Sequence, residues 1–172
     1  MKGWGLSANL ARMIRIVHAS TPVQLRDVRA LFLEYATSLG FDLCFQDFDH
    51  EVASLPGAYA PPRGLLLLAE VEGQTAGCVA LRPLDTLSCE MKRLYVRPAC
   101  RGRGLGRLLC EALVSEAQDL GYSSMKLDTL PQMTEAIELY RSLGFLPAEP
   151  YRYNPLSGAM FMELTLESRS SE

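Results

Sequence analysis

Two absences bound the chain. No stretch approaches the ~20 consecutive apolar residues that a membrane-spanning helix needs; the longest apolar run, Leu65–Ala69, has the length of a buried strand. The five cysteines, at 44, 78, 89, 100 and 110, form no CxxC pair, and His18 and His50 lie far from one another. Neither a metal site nor a disulfide framework is therefore expected. The opening "MKGWGLSANLAR" has neither a long apolar run nor a small-residue cleavage site, which makes it a poor secretion signal. An odd cysteine count without such a signal points to the reducing cytoplasm, with each cysteine read as a small buried apolar residue. Positive charge is also scarce: the formal net charge is −3, which argues against a nucleic-acid footprint.

The charge that exists is unevenly placed. Between Lys92 and Arg107 stand six basic residues (Lys92, Arg93, Arg97, Arg101, Arg103, Arg107) and no acidic one. One basic segment in an acidic protein suggests a small polyanionic ligand. The chain has 172 residues, 48% of them hydrophobic, enough for one domain with a real core. Met13 immediately precedes the first strand-like run. Residues 1–12 are thus expected to be a loose extension, 13–168 the single folded domain and 169–172 a tail.

Periodicity and punctuation give the elements. "IRIVHA" (14–19) reads as a strand, and "STP" then caps a helix running to about Leu39, with Gly40 as its stop. A short second helix is expected to end near Leu55. Residues "GLLLLAEV" and "TAGCVALRPL" form a hairpin about Gly73, and "CEMKRLYV" is the third strand of that meander. Leu105, Leu109, Ala112, Leu113 and Ala117 recur at helical spacing before Gly121. A strand "SSMKLDT", a helix to Leu143 and final strands near "FLP" and "GAMFMELTL" complete the order β-α-α-β-β-β-α-β-α-β-β. This is one α+β domain, a mixed sheet with helices on its faces.

The basic segment contains "RGRGLG" (101–106), where a strand pattern becomes a helix pattern. A glycine turn feeding a helix N-terminus lets unpaired amides approach phosphate oxygens, and Arg101, Arg103 and Arg107 could add charge-assisted contacts. The other reading is a tight turn whose glycines only allow close helix–sheet packing. There is no G-x-x-x-x-G-K-[ST], so this is not a Walker loop. Nor is it a Rossmann turn, since 102–107 reads G-R-G-L-G-R and no acidic residue ends a following strand at the required distance.

"RGRGLG" resembles the [Q/R]-x-x-G-x-[G/A] signature of the GCN5-related N-acetyltransferases. The resemblance extends through "YVRPACRGRGLGRLLCEAL" and to "AIELYRSLGF" (136–145), which is similar to that family's second motif; it covers about residues 14–166. It implies a mostly antiparallel central sheet with helices on both faces and acetyl-CoA as co-substrate, without a metal. It also implies that Leu94, Tyr95 and Val96 hold the pantetheine arm through their backbone, with the Leu94 N–H as oxyanion donor. The turn from Arg101 through Gly102, Arg103, Gly104, Leu105 and Gly106, with Arg107, would take the pyrophosphate. The family commonly has asparagine three residues before the residue equivalent to Ala136; here that position is Met133, which suggests packing in place of a polar cofactor contact.

Acetyl transfer to an amine needs two proton movements. An amine of pKa ~10 is neutral about one part in a thousand at pH 7, a cost of ~4 kcal/mol, so a base is useful; the departing thiolate, of pKa ~8.5 by analogy with cysteine, benefits from a donor. Tyr140, in the second motif, is the donor that the resemblance implies, with packing on an apolar helix face as its other reading. Glu90 lies eleven residues before Arg101, the spacing of the catalytic glutamate in the histone-acetyltransferase branch. Strand alternation is expected to put Glu90, Lys92, Leu94 and Val96 on one face. Glu90 is then a base, a substrate anchor or a salt-bridge partner of Lys92.

The family's acceptor walls correspond here to 41–48 and 149–160. The first offers Asp42, Gln46 and Asp47 beside Phe41, Phe45 and Phe48; the second offers Tyr151, Tyr153 and Asn154, with Arg152 suited to a carboxylate. The leading expectation is direct, ternary-complex transfer to a small-molecule primary amine, because no cysteine–histidine pair stands near either motif. The alternatives are a protein-lysine or N-terminal acetyltransferase, and a non-catalytic acyl-CoA sensor. No nucleic-acid or membrane partner is expected. Sheet-edge pairing or exchange of the final strand would be the route to a homodimer.

Overall fold

The computed structural model describes residues 13–44 and 47–167. The expected 1–12 extension, the 169–172 tail and the candidate acceptor residues Phe45 and Gln46 lie outside the described residues. The elements are β1 (Ile14–His18), α1 (Pro22–Leu39), α2 (Phe48–Ala53), β2 (Leu65–Val71), β3 (Gln74–Pro83), β4 (Ser88–Val96), α3 (Leu105–Asp119), β5 (Ser124–Thr129), α4 (Thr134–Ser142), β6 (Leu146–Pro147) and β7 (Met160–Thr165). Their order is the one expected from periodicity.

The strands form one seven-stranded sheet in the order β1-β2-β3-β4-β5-β7-β6. Every neighbouring pair is antiparallel except β4 and β5. The continuous run Leu65–Ala69 is apolar because both faces of β2 are covered. Leu65, Leu67 and Ala69 pack in the cluster with Leu105, Leu109 and Leu113 of α3. Leu66 and Leu68 pack on the other side with Val28, Leu31 and Phe32 of α1. Burying both faces removes the alternation that a one-sided sheet would show.

Local chemistry sets the helix ends. Thr21 Oγ1 accepts from Gln24 N at 3.2 Å while Gln24 Oε1 accepts from Thr21 N at 3.0 Å, a reciprocal cap ahead of Pro22. Gly40 closes α1 with φ of 70°, a left-handed conformation that costs glycine little.

One expectation is overturned in β4. Cys78 pairs with Tyr95, but Ala80 pairs with Lys92, so Val79 of β3 stands opposite both Arg93 and Leu94. Arg93 has φ of 59°. This bulge shifts the side-chain parity by one residue. Tyr95 lies in the α1 cluster, whereas Leu94 and Val96 pack against the α3 cluster. Glu90, opposite Arg82, and Lys92 face the α1 side together with Tyr95. Glu90 and Lys92 therefore share a face with each other but not with Leu94 and Val96.

Gly77 lies where β3 passes the upper end of this bulge; a Cβ built there would come within 2.6 Å of the Tyr95 carbonyl oxygen. Gly77→Ala must force β3 away from β4. It is expected to lower stability by about 1–3 kcal/mol, as overpacking of a filled site does, measured as a shift of the urea midpoint at unchanged slope.

Candidate active site

β4 and β5 pair only at Ser88↔Ser124, Cys89↔Met125 and Glu90↔Lys126. Above that point β5 continues on β7 as far as Thr129↔Met160, while β4 turns away through its bulge. Between the diverging strands opens a cleft of ≈ 680 Å³. Its outer wall includes Tyr95, Val96, Arg101, Gly102, Gly104 and Gly106, and α4 supplies Met133 and Ala136. It leads to an inner cavity of ≈ 50 Å³, with which it shares Tyr35, Leu39, Phe41, Leu94 and Met133. Lys92, Asp128 and Tyr140 border that inner cavity.

The glycine turn opens α3 without a side-chain cap. Gly102 and Gly104 have φ of 78° and 77°. Gly104 is the N-cap of α3 with no side-chain capping hydrogen bond, so the first-turn amides carry the helix's partial positive charge without an internal acceptor there. Arg101 lines the outer cleft and donates from Nε to the Val96 carbonyl at 3.0 Å. Leu105 is buried beneath the turn, while Arg103 is exposed. Arg107 turns toward α4, with Nη2 2.5 Å from Ser142 Oγ and Nη1 3.5 Å from Glu111 Oε1. Neither Arg103 nor Arg107 borders the cleft.

Tyr140 is 7% exposed and stands 5.8 Å from Phe145, ring centre to ring centre. Burial raises its pKa well above that of a free phenol, so the hydroxyl stays protonated. Met133 approaches Thr129 Oγ1 at 3.6 Å through its sulfur.

Glu90 is fully buried and does not border the cavity. Arg82 Nε donates to its Oε1 at 2.7 Å and Tyr151 Oη to its Oε2 at 2.5 Å. Lys92 Nζ lies 3.8 Å from Oε1, and Arg152 Nη1 3.5 Å from Oε2. Burial pushes the Glu90 carboxyl up, but Lys92, Arg82 and Arg152 together outweigh it and hold the group below the ordinary range. Lys92 is lowered as well, to about 7, because burial disfavours its charged form against the pull of Glu90.

The acceptor-side candidates scatter. Asn154 lines the inner cavity and donates to Asp128 Oδ2 at 3.0 Å. Tyr151 joins the Glu90 cluster, and Arg152 also reaches Asp128 at 4.0 Å. Tyr153 is 80% exposed. Asp42 is exposed and accepts from Cys44 N at 2.8 Å, a local turn. Phe41 lines both parts of the cleft, whereas Phe48 is buried in the α1-side core. Asp47 lies on a separate surface cleft with His50 and Glu51.

Sequence reading missed Arg82, Arg93, Glu51, Tyr35 and Asp128. The signal available was "KR" inside an otherwise buried strand. Arg93 forms a two-pronged ion pair with Glu51, Nε–Oε2 at 2.8 Å and Nη2–Oε1 at 3.2 Å, and Tyr59 Oη donates to Glu51 Oε1 at 2.8 Å. The Phe48 ring centre lies 5.1 Å from the guanidinium.

The chain bearing this site has known relatives. The pattern of the acetyltransferase (GNAT) family matches residues 25–145. An uncharacterised N-acetyltransferase of Schizosaccharomyces pombe is 44% identical over 155 residues, spanning 89% of this chain and 95% of that protein. Among solved structures, a GNAT-family acetyltransferase of Staphylococcus aureus Mu50 superposes with TM-score 0.74 at 17% identity, covering 90% of this chain and 99% of the other. The ribosomal-protein-S18-alanine N-acetyltransferase of Escherichia coli gives 0.68 at 23% identity, with coverage of 93% and 97%. At these identities the structural likeness concerns the fold.

The Arg93 side chain is only 3% exposed, so removing its partner leaves a buried cation uncompensated. Glu51→Ala is expected to cost about 3–5 kcal/mol in chemical denaturation. Glu51→Gln, which keeps an acceptor, should cost less.

Proposed function

The chain belongs to the GNAT family of acetyltransferases, and from that premise we propose that it transfers the acetyl group of acetyl-CoA directly to the primary amine of a small molecule. N-acetyltransferase activity with acetyl-CoA as co-substrate follows from the family. The observation that carries the finer reading is the narrowing of the cleft. The segment after α1, with Phe41 and Leu43, and the segment before β7, with Asn154 and Leu156, both wall an inner cavity of only ≈ 50 Å³. Such a narrow end suits a compact acceptor better than a polypeptide.

On this reading the amides of the turn from Gly102 to Gly106 take the pyrophosphate, with Arg101 at the rim. Leu94, displaced from the ladder register by the bulge, offers its N–H to the thioester carbonyl oxygen as negative charge develops there. Tyr140 donates a hydrogen bond to the sulfur as the C–S bond breaks, which stabilises the departing thiolate. Arg103 and Arg107 fit a weaker role at the mouth than the sequence pattern suggested, because neither faces the cleft. Direct transfer also agrees with the buried cysteines: burial pushes the Cys89 and Cys110 thiols up to about 12, unsuited to carrying an acetyl group.

The test is release of CoA thiol from acetyl-CoA over a panel of small amines and of peptides with free N-termini or lysines. Turnover on small amines alone supports the reading; turnover on peptides alone overturns it. CoA at a hundred times its Kd should stabilise the fold by ~2.7 kcal/mol. Such stabilisation without turnover on any amine would favour an acyl-CoA sensor. Tyr140→Phe should slow kcat ~10–100-fold, at or below the low end of the ~10²–10⁴-fold range for general acid–base catalysis, as suits a hydrogen-bond donor, while retaining the CoA-induced thermal shift. An unaffected kcat would remove Tyr140 from catalysis.

A further inference from the structure

The acetyl-transfer reading leaves one task unassigned, removal of the proton from the incoming ammonium. Glu90, the candidate by spacing, lies behind the cavity wall. Its oxygens are taken by Arg82 and Tyr151, with Lys92 and Arg152 close by. A carboxylate so surrounded by cations is a weak proton acceptor. Lys92 occupies the position between: it borders the inner cavity and lies 3.8 Å from Glu90 Oε1, with its side chain 4% exposed. We propose that Lys92, held by Glu90 at the wall of the inner cavity, is the group that removes the proton from the attacking amine. This rests on the acetyl-transfer reading above.

The charges facing Lys92 support it. From β4 come Glu90 and Arg93, from β3 Arg82, from β5 Asp128, from the segment before β7 Tyr151 and Arg152, from α1 Tyr35 and from α4 Tyr140. Glu51 of α2 neutralises Arg93. Among the described residues, the ion-paired groups here are four cations, Arg82, Lys92, Arg93 and Arg152, and three carboxylates, Glu51, Glu90 and Asp128, counting Lys92 as charged; the half-buried Lys126 of β5 lies 5.8 Å from the Tyr151 ring. Arg152 Nη1 is buried there without a hydrogen-bond partner. An uncharged Lys92 brings the cluster to balance, in line with burial lowering it to about 7. A base matched to neutral pH suits proton removal from an amine.

The step balances. Uncharged Lys92 Nζ takes one proton from R–NH3+, leaving R–NH2. The nitrogen lone pair forms the C–N bond at the thioester carbon as the C=O electrons move onto oxygen at the Leu94 N–H. Their return breaks the C–S bond and leaves its electron pair on sulfur. The second nitrogen proton passes to the sulfur, and Lys92 releases the first to solvent. The products are amide, thiol and one proton.

The chain has three lysines, Lys2, Lys92 and Lys126, so a lysine-labelled full chain followed by NMR gives three side-chain signals, which Lys92→Met assigns. The expected result is a Lys92 midpoint near 7; an ordinary midpoint near ~10.4 overturns the inference. This titration needs no acceptor, so it decides the matter separately from the amine panel. With an amine that the panel shows to be acetylated, kcat should rise with pH through neutrality, because the base works only when deprotonated. Lys92→Met and Lys92→Arg should both lose that limb and fall ~10²–10⁴-fold, with the CoA-induced thermal shift intact. Arginine keeps the charge but does not deprotonate. An active Lys92→Arg would therefore make Lys92 an anchor for an anionic acceptor and overturn its role as base. An active wild type with unaffected Lys92 variants rejects this inference and leaves the acetyltransferase reading standing.

Discussion

Arg93 sits in the left-handed region in the middle of a strand, and its ion pair with Glu51 keeps it there. A residue other than glycine in that conformation costs on the order of 1–3 kcal/mol, and the ion pair offsets part of that cost. Glu51 holds it in two-pronged fashion, Tyr59 orients Glu51, and Phe48 lies beside the guanidinium. The short helix α2 and the segment that follows it therefore act on the sheet as a clamp. Their contribution to function is to fix the course of β4.

Everything at the site follows from that course. A straight β4 would continue alongside β5 and close the cleft. It would also keep Leu94 in the ladder and carry Glu90 and Leu94 on the same face. The bulge instead sends Leu94 and Val96 to the α3 side, where the turn after β4 delivers Gly104 to the start of α3. Glu90, at the last position paired with β5, and Lys92, just beyond it, remain on the α1 side. In the mechanism proposed above, the two halves of the chemistry, charge stabilisation at the thioester and proton removal from the amine, fall to opposite faces of one strand beside the gap.

The electrostatics of the inner end have the same origin. Burial makes every charge there expensive unless it is paired. Glu90 satisfies Arg82 and Tyr151 directly and moderates Lys92 and Arg152, while Asp128 joins Arg152 and Asn154. The cluster ties β3, β4, β5 and the segment before β7 together at the base of the cleft. Burial, with the neighbouring arginines adding to it, lowers the proton affinity of Lys92, which borders the cavity beside Asp128 and Asn154.

The element order was legible in the sequence because its causes are local. Thr21-Pro22 and Gly40 bracket α1, the 3.6-residue recurrence of leucines marks α3, and Gly102 and Gly104 need φ values that mark a turn wherever they stand. The glycine turn and the segment holding Tyr140 were readable as motifs, since each match is carried by a few consecutive residues. What the sequence did not determine was parity and partnership. Nothing within "EMKRLYV" says that Arg93 will turn left-handed, because the cause, Glu51, is 42 residues away. A period-two pattern cannot register one extra residue until the facing strand is in place. The same holds for Lys92: its composition and spacing are those of any strand lysine, and only packing against Glu90, Arg82 and Arg152 decides its charge. Local propensity fixes elements and turns; contacts distant along the chain fix which side chains share a space and what proton affinity they have there.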